Sequence, residues 1–239
     1  MDLGLIVTVI VPLTLLGFVF ASRAFRKADS GRRAAVAAFA AARGLSHTEE
    51  VKIPPREDWM NFYLFLPQGG AGCSFSNLAR GRVEGREWKF FDFSMRLAAT
   101  RILMNPFPFR DFTGAVVEPS GKTLPSFVMF QRTPWTSLRQ DMPEEAHLPR
   151  GSFPAENDVR FGDDAFEARY CVQGGDPKAI LSLFRPQLRR ALLADKRSWF
   201  IEGSGGLLAV YYYAKGGPFP PETDLADIGG VVKAFEAVA

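Results

Sequence analysis

The histidines could supply acid, base or metal chemistry, but the chain has only two, His47 and His147. Both fall in stretches whose composition predicts surface loops, and His147 has only glutamates as candidate co-ligands nearby. A protein metal site needs three or four ligands that converge on one ion. We therefore expect exposed loop histidines, and the sequence predicts no metal site.

A group of acidic residues on either side of Gly162 is the strongest candidate for general acid or base catalysis. Its members are Glu156, Asp158, Asp163, Asp164 and Glu167. Their spacing matches no calcium-binding loop, and adjacent acids beside a glycine are typical of a solvated turn. The sequence favours a turn here, and no catalytic residue is predicted.

Three glycine-rich stretches, at residues 69–72, 174–177 and 203–206, invite a phosphate-binding interpretation. None has the Lys-Ser/Thr ending of a P-loop or the spacing of a dinucleotide fingerprint. Turns explain all three, so no cofactor is predicted. The cysteines, Cys73 and Cys171, show no metal-ligand or redox spacing, and Cys171 is predicted to be a buried structural thiol.

The amino-terminal sequence predicts how the protein is attached to a membrane. Leu3 to Ala21 is a run of nineteen residues without a charge, and a helix of that length reaches about 28 Å, close to the thickness of a bilayer core. A cleaved signal peptide would need basic residues before its apolar stretch, whereas the charged side chain there is that of Asp2. The sequence therefore predicts one membrane-spanning helix.

The segment after this helix carries the positive excess of the protein. Residues 22–33 have a net charge of +4, which with Asp2 accounts for the whole net charge of +3. Such a segment suits contact with anionic lipid head groups, through Arg23, Arg26, Lys27, Arg32 and Arg33. Because basic residues stay on the cytoplasmic side, the sequence predicts an inner-membrane protein with a cytoplasmic domain. Charge balance beyond residue 33 argues against nucleic-acid binding.

The remaining sequence predicts an α+β domain with a largely antiparallel sheet and two or three packed helices. The segments expected are 1–33 for the anchor and basic stretch, 34–66 for a helix and linker, and 67–239 for the soluble domain. A helix is predicted from Ser30 to Arg43, with Val36, Phe39 and Ala40 inward, and another from Pro177, with Ile180, Leu181 and Phe184 inward. A last helix is predicted from a cap at Thr223, and its apolar stripe is Leu225, Ile228, Val231, Val232 and Phe235.

Hairpins are predicted around Gly85 and across residues 203–206. Two more strands, joined by a turn, are predicted at 113–118 and 124–132. Phe166 to Val172 alternates like another strand, and residues 46–56 read as a polar connection. In the run Tyr211-Tyr212-Tyr213, alternation predicts that Tyr212 faces solvent. The apolar, proline-broken loop Ile102–Phe109 is predicted to cover the core or to contact a bilayer or partner.

The order of these pieces resembles a group of uncharacterised bacterial single-pass membrane proteins. The residues that carry the resemblance are Ala42-Arg43-Gly44-Leu45, Arg82-Val83-Glu84-Gly85, Leu124-Pro125-Ser126-Phe127, Asp176-Pro177, Leu183-Phe184-Arg185-Pro186 and Ile201-Glu202-Gly203. The resemblance implies a fold but no activity or catalytic residue. We expect a membrane-tethered binding or scaffolding module that meets a protein partner. An enzyme acting on a membrane-associated substrate and an accessory subunit of a membrane complex are the alternatives.

Overall fold

The structure is a computed structural model that describes residues 30–51, 62, 73–96, 109–119, 123–132, 158–213 and 220–238. Several predicted features lie outside these ranges, namely the membrane-spanning helix, Arg23, Arg26, Lys27, His147 and most of the Ile102–Phe109 loop. Within the ranges, no helix combines the length and hydropathy needed to cross a bilayer.

The first described element is helix α1, residues 30–42. Alanine favours helix strongly, and the predicted stripe of Val36, Phe39 and Ala40 is buried against the sheet. Gly44 has a φ of +65°, the left-handed conformation that ends many helices. This helix and its inward face are confirmed.

Eight strands form one sheet in which every neighbouring pair is antiparallel. The strands are β1 (Ser46–Val51), β2 (Cys73–Val83), β3 (Arg86–Arg96), β4 (Phe109–Val117), β5 (Leu124–Gln131), β6 (Tyr170–Gly174), β7 (Trp199–Gly205) and β8 (Leu207–Tyr213). Their order across the sheet is β1-β2-β3-β4-β8-β7-β5-β6. The α+β class with a large antiparallel sheet is thus as predicted.

Two hairpins were correctly predicted from their turns. Glu84 and Gly85 both have positive φ, 51° and 81°, which is the backbone that a two-residue turn needs to match strand twist. The β7–β8 hairpin closes at Gly205, whose φ is +59°. Gly203 belongs to strand β7. A Cβ atom there would lie 2.2 Å from the ring of Phe127, so the close approach of this ring favours glycine.

The strands predicted at 113–118 and 124–132 are present as β4 and β5, and β8 and β7 lie between them in the sheet. Two strand predictions were wrong. Residues 46–51, predicted as a connection, form edge strand β1. The run from Phe166 begins as a helix, because Asp163 caps its amino terminus and Phe166 packs inward, and the strand starts only at Tyr170.

Four further helices follow, α2 (Asp164–Arg169), α3 (Pro177–Leu183), α4 (Pro186–Ala194) and α5 (Pro221–Val238). The start of α3 is as predicted, with the Asp176 carboxylate accepting the N–H of Ala179 at 3.0 Å. Leu181 was expected inside but is 42% exposed, and Leu183 is buried instead. Helix α5 begins at Pro221, so Thr223 lies within it and is not its cap.

The sheet separates two apolar clusters. One face packs against α1, α2, α3, α4 and α5 and forms the helix-side core. The other face carries an aromatic cluster of Phe62, Phe75, Leu78, Phe91, Phe93, Phe112, Val116, Ala209 and Tyr211. Helix α1 and strand β1, from the predicted segment 34–66, belong to the same core and sheet as the residues after 67.

Candidate functional site

A line of polar and aromatic side chains crosses the helix-covered face of the sheet. Asp92 of β3 is the cross-strand partner of Thr113, Thr113 of Tyr212, and Tyr212 of Trp199. Directly opposed side chains on one face of a sheet lie within contact distance. We call these four residues, together with Arg32 and Asp224, which bond to them, the polar row.

Tyr212 was expected to face solvent, and this was wrong, since it is 3% exposed. Alternation along β8 does place Tyr211 and Tyr212 on opposite faces. Both faces of the sheet are covered at this point, however, so both rings are buried. A half-exposed sheet was assumed where the real sheet is enclosed.

Arg32 joins the polar row to helix α1. Its Nε and Nη2 atoms each donate to one carboxylate oxygen of Asp92 at 2.9 Å, and Nη2 lies 3.1 Å from Oδ2 of Asp224. Its side chain is 8% exposed. The planar guanidinium suits such a two-pronged contact better than an ammonium would.

Asp224 brings α5 into the same network. Its side chain is fully buried, and its Oδ1 accepts the hydroxyl of Tyr212 at 2.5 Å. Arg197, on the approach to β7, lies over the Tyr212 ring with its Cζ 4.7 Å from the centroid. It also pairs with Asp227 of α5.

Burial and pairing shift the pKa values of these groups in definite directions. Burial raises the pKa of Asp224, an effect that the Tyr212 hydroxyl and the charges of Arg32 and Arg197 only partly offset. Burial and the Asp224 carboxylate raise the pKa of Tyr212. Burial disfavours the charge on Arg32, but Asp92 and Asp224 outweigh it, so its pKa is raised too. The raised pKa values of Arg32 and Tyr212 keep the guanidinium charged and the hydroxyl a proton donor.

Asn77 and Thr113 complete the ligation of Asp92. The Asn77 amide donates to Oδ2 and the Thr113 hydroxyl to Oδ1, both at 2.8 Å. Asn77 has a φ of +55° and lies where the register between β2 and β3 shifts. Asparagine tolerates this left-handed conformation better than most residues, so the bulge aims its side chain at the carboxylate.

The chemistry of this network is mutual neutralisation. Each carboxylate faces a guanidinium and a neutral donor, as buried charges require. Because the charged atoms point at one another, the network can hold elements together. Its position predicts a structural joint between α1, the sheet and α5.

The sequence contains one feature that indicates this network. Asp92 alternates with Trp88 and Phe90, which face the helix-side core. A carboxylate in phase with core aromatics must meet a buried cation or donor. That feature identifies Asp92, but its partners Arg32, Asn77 and Thr113 are 60, 15 and 21 positions away, so spacing along the chain does not reveal them.

The predicted head-group contacts divide where the structure describes them. Arg32 is buried and committed to two carboxylates, so its guanidinium does not face lipid in this fold. Arg33 is partly exposed and pairs with Glu49 of β1 at 2.6 Å. The neighbouring arginines point in different directions because α1 turns 100° per residue.

The acidic residues around Gly162 accept hydrogen bonds from nearby helix and loop groups. Asp163 caps α2 by accepting the N–H of Phe166 at 3.2 Å, and its other oxygen accepts Arg189 Nε at 2.8 Å. Glu167 accepts the N–H groups of Phe161 and Gly162 at 2.6 and 2.9 Å. A bend at Gly162 is as predicted, whereas Asp164 and Glu167 lie in helix α2 and Glu156 lies outside the described residues. The carboxylates of Asp163 and Glu167 are occupied by these donors.

We predict that this turn contributes to the pH dependence of stability. The Arg189 hydrogen bond and the Phe166 N–H lower the pKa of Asp163. Burial opposes the charge of Glu167, but its backbone and Arg160 hydrogen bonds prevail, so its pKa is also lowered. Their contribution is therefore present above the ordinary carboxyl range and lost as pH falls through the folded pKa values.

The measurement is the free energy of unfolding of the wild type and Glu167→Gln from pH 7 down to pH 3. The variant should lose less stability over this interval than the wild type. Asp164→Asn is the matched control, because Asp164 is an exposed neighbour of this turn. Equal slopes for wild type and Glu167→Gln would show that Glu167 does not act in this way.

The remaining candidates have structural surroundings. His47, expected in an exposed loop, lies half-buried in strand β1 opposite Ala79. Cys171 is buried, as predicted, and its Sγ lies 3.4 Å from Asp158. Across the portions of the chain that the structure describes, no three His, Cys, Asp or Glu residues gather closely enough to hold a metal.

Comparison with known proteins does not assign a family. No family model matches the chain, and no curated protein does. Among solved structures, the mycobacterial trehalose monomycolate transport factor A, TtfA, is similar at 9% sequence identity and a TM-score of 0.49. The match covers 87% of this chain and 97% of that chain. Likeness at this level identifies neither a family nor an activity.

A surface depression of about 370 Å³ lies beside the connection between β6 and α3. It is lined by Thr123, Leu124, Pro125, Ser126, Gly175, Asp176 and Ala179. The one charged lining residue, Asp176, uses a carboxylate oxygen to cap α3. A specific ligand site needs several convergent polar groups, and here the Ser126 hydroxyl is also engaged, at 3.3 Å from the hydroxyl of Ser204.

Proposed function

We propose that this chain is a single-pass inner-membrane protein whose cytoplasmic domain is a binding or scaffolding module held close to the bilayer. We also propose that it belongs with the uncharacterised bacterial membrane proteins that it resembles. The observation that carries the proposal is the attachment of α1. The described part of this helix runs from residue 30, and Arg32 is bonded to the sheet and to α5.

The attachment matters because of what precedes it in the sequence. Only residues 22–29 separate the apolar run ending at Ala21 from α1, and eight residues span at most about 28 Å when fully extended. A domain that is fixed to its own first helix so soon after a membrane span stays near the membrane surface. Proximity of this kind suits a protein that presents or recruits a partner there.

The polar row supports binding over catalysis. Its charged groups are satisfied by one another across three elements, which stabilises a fixed shape. Asp224 and Tyr212, whose pKa values are raised, are both buried between the sheet and the helices. A catalytic acid or base must instead reach a substrate.

Topology can be tested by protease protection in spheroplasts of cells making the full chain with a carboxyl-terminal tag. We expect the tag to resist external protease and to be cleaved after the membrane is permeabilised. The control variant replaces Arg23, Arg26 and Lys27 with glutamine, which should weaken the orientation. Cleavage of the wild-type tag in intact spheroplasts would overturn the cytoplasmic assignment.

The binding role can be tested by crosslinking in native membranes followed by affinity capture. A stoichiometric partner is expected for the full chain. The decisive comparison is a chimaera in which an unrelated membrane span replaces residues 1–21 while Arg32 and α1 stay intact. Capture retained by the chimaera places the partner on the domain, capture lost places it on the span, and a partner-free monomer in both would refute the binding module.

A further inference from the structure

The two helices that follow strand β6 carry a concentration of positive charge. Residues 177–196 contain five basic residues and one acidic residue. The basic residues are Lys178, Arg185, Arg189, Arg190 and Lys196. Arg189 is engaged by Asp163, whereas the other four are exposed. The near-zero charge of the domain is thus an average that conceals a local excess.

An exposed leucine lies among these charges. Leu181 is 42% exposed and is the large hydrophobic side chain that stands out to solvent within the described ranges. It is three residues after Lys178, so the two lie on the same side of α3, and Arg185 follows at the cap of α4. An apolar side chain bordered by basic ones is the pattern of helices that rest on anionic bilayers.

Three of the five described helices are free of acids. Helices α1, α3 and α4 contain no Asp or Glu. The outward positions of α1 are small and uncharged, being Gly31, Ala34, Ala35, Ala38, Ala41 and Ala42. Among the described residues, the exposed acids on this side of the sheet are Asp164 of α2, Glu222 of α5 and Asp176 at the cap of α3. Helices α1, α3 and α4 therefore offer less repulsion to an anionic surface than α5 does.

We propose that the outward side of α3 and α4, formed by Lys178, Leu181, Arg185 and Arg190, docks on the anionic lipid head groups of the membrane. This inference rests on the proposed function, because it turns the helix layer that contains α1 toward the bilayer carrying the predicted anchor. Lipid suits the surface better than nucleic acid does, since head-group binding uses Leu181 as well as the charges. A phosphate backbone would use the charges alone.

The test uses the full chain reconstituted in phosphatidylcholine vesicles with or without phosphatidylglycerol. An environment-sensitive dye is attached at Ser182→Cys, beside Leu181, with Cys73→Ser so that the other thiol is the buried Cys171. Docking should raise and blue-shift the dye emission in vesicles with phosphatidylglycerol only. Added salt should reverse the change.

The charge dependence is tested with Lys178→Gln/Arg190→Gln in the labelled chain. Loss of two basic residues near the surface should reduce the docking equilibrium constant by about 30-fold. The matched control, Arg82→Gln/Lys89→Gln, removes the same charge from strands β2 and β3 on the face of the sheet opposite to the helices and should dock like the wild type. Leu181→Ser should weaken docking without changing its salt dependence.

The outcomes separate this inference from the proposed function. A chain that co-floats with vesicles but whose dye ignores phosphatidylglycerol has its anchor and lacks the docking surface. A chain that does not co-float fails the proposed function itself, and the inference with it. A dye that responds to duplex DNA but not to phosphatidylglycerol, or equally weakened docking in both double variants, overturns lipid docking.

Discussion

Replacing Arg32 with alanine should lower the free energy of unfolding by about 3–5 kcal/mol, the range found when one partner of a buried ion pair is removed. The reason is that Asp92 and Asp224 would both lose their cation while remaining beneath helices α1 and α5. Asp224 is fully buried, so water does not replace the guanidinium. Urea denaturation followed by tryptophan fluorescence measures the change.

The adjacent residue provides the control for this prediction. Arg33→Ala removes an ion pair with Glu49, whose side chain is 60% exposed, and should cost at most about 1 kcal/mol. A second comparison is Arg32→Met/Asp92→Asn/Asp224→Asn, which removes the charges together and should recover much of the loss. If Arg32→Ala is no more destabilising than Arg33→Ala, the polar row is not the joint described above.

The deficit of Arg32→Ala should also depend on pH. Without the guanidinium, the pKa of Asp224 in the folded protein should rise beyond the value that burial already gives it. A carboxyl that binds its proton more tightly when folded gains stability as pH falls toward that pKa. The difference between variant and wild type should therefore shrink on acidification, whereas a pH-independent difference would contradict the assignment to Asp224.

Phe184→Ala should lower the free energy of unfolding by about 3–5 kcal/mol through loss of packing and creation of a cavity. Phe184 is fully buried. Its ring meets four other aromatic rings at centroid distances of 5.2–6.2 Å. They belong to Phe127, Phe161, Phe166 and Phe235. These rings come from four parts of the chain, so collapse around the cavity would require several elements to move together.

Leu181→Ala is the matched control, because it truncates a large apolar residue three positions away on the same segment. Its side chain is exposed, and surface substitutions of this kind are usually within about 0.5 kcal/mol of neutral. Thermal denaturation of both variants tests the contrast. Similar losses for the two would mean that α3 is rotated from the orientation described here.

The elements that were predicted correctly are those determined by neighbouring residues. The start of α3 is determined by Asp176 and Pro177, which cap and begin a helix wherever they occur in that order. The β2–β3 turn is determined by Gly85, and the inward stripe of α5 by apolar residues at helical spacing. Local steric and hydrogen-bonding preferences are enough for such features, so one sequence suffices to find them.

The candidate site was not predictable in the same way. Asp92, Arg32 and Asp224 are separated by tens to hundreds of positions, and each alone resembles a surface charge. Tyr212 was placed outside because alternation gives the face of a strand but does not say whether a second layer covers that face. The separation of β4 from β5 by β8 and β7 likewise depends on pairing between distant strands.

The sequence by itself determined the α+β class, the helix and hairpin ends, and the charge segregation that predicts the anchor and its direction. Only the tertiary structure decided that Arg32 belongs to the interior, that Leu181 belongs to the surface, and that a polar row joins α1 to the sheet and α5. The physical reason is that burial depends on all the elements that meet at a point. A charge is stabilised or stranded there by partners that its own neighbours in the sequence do not specify.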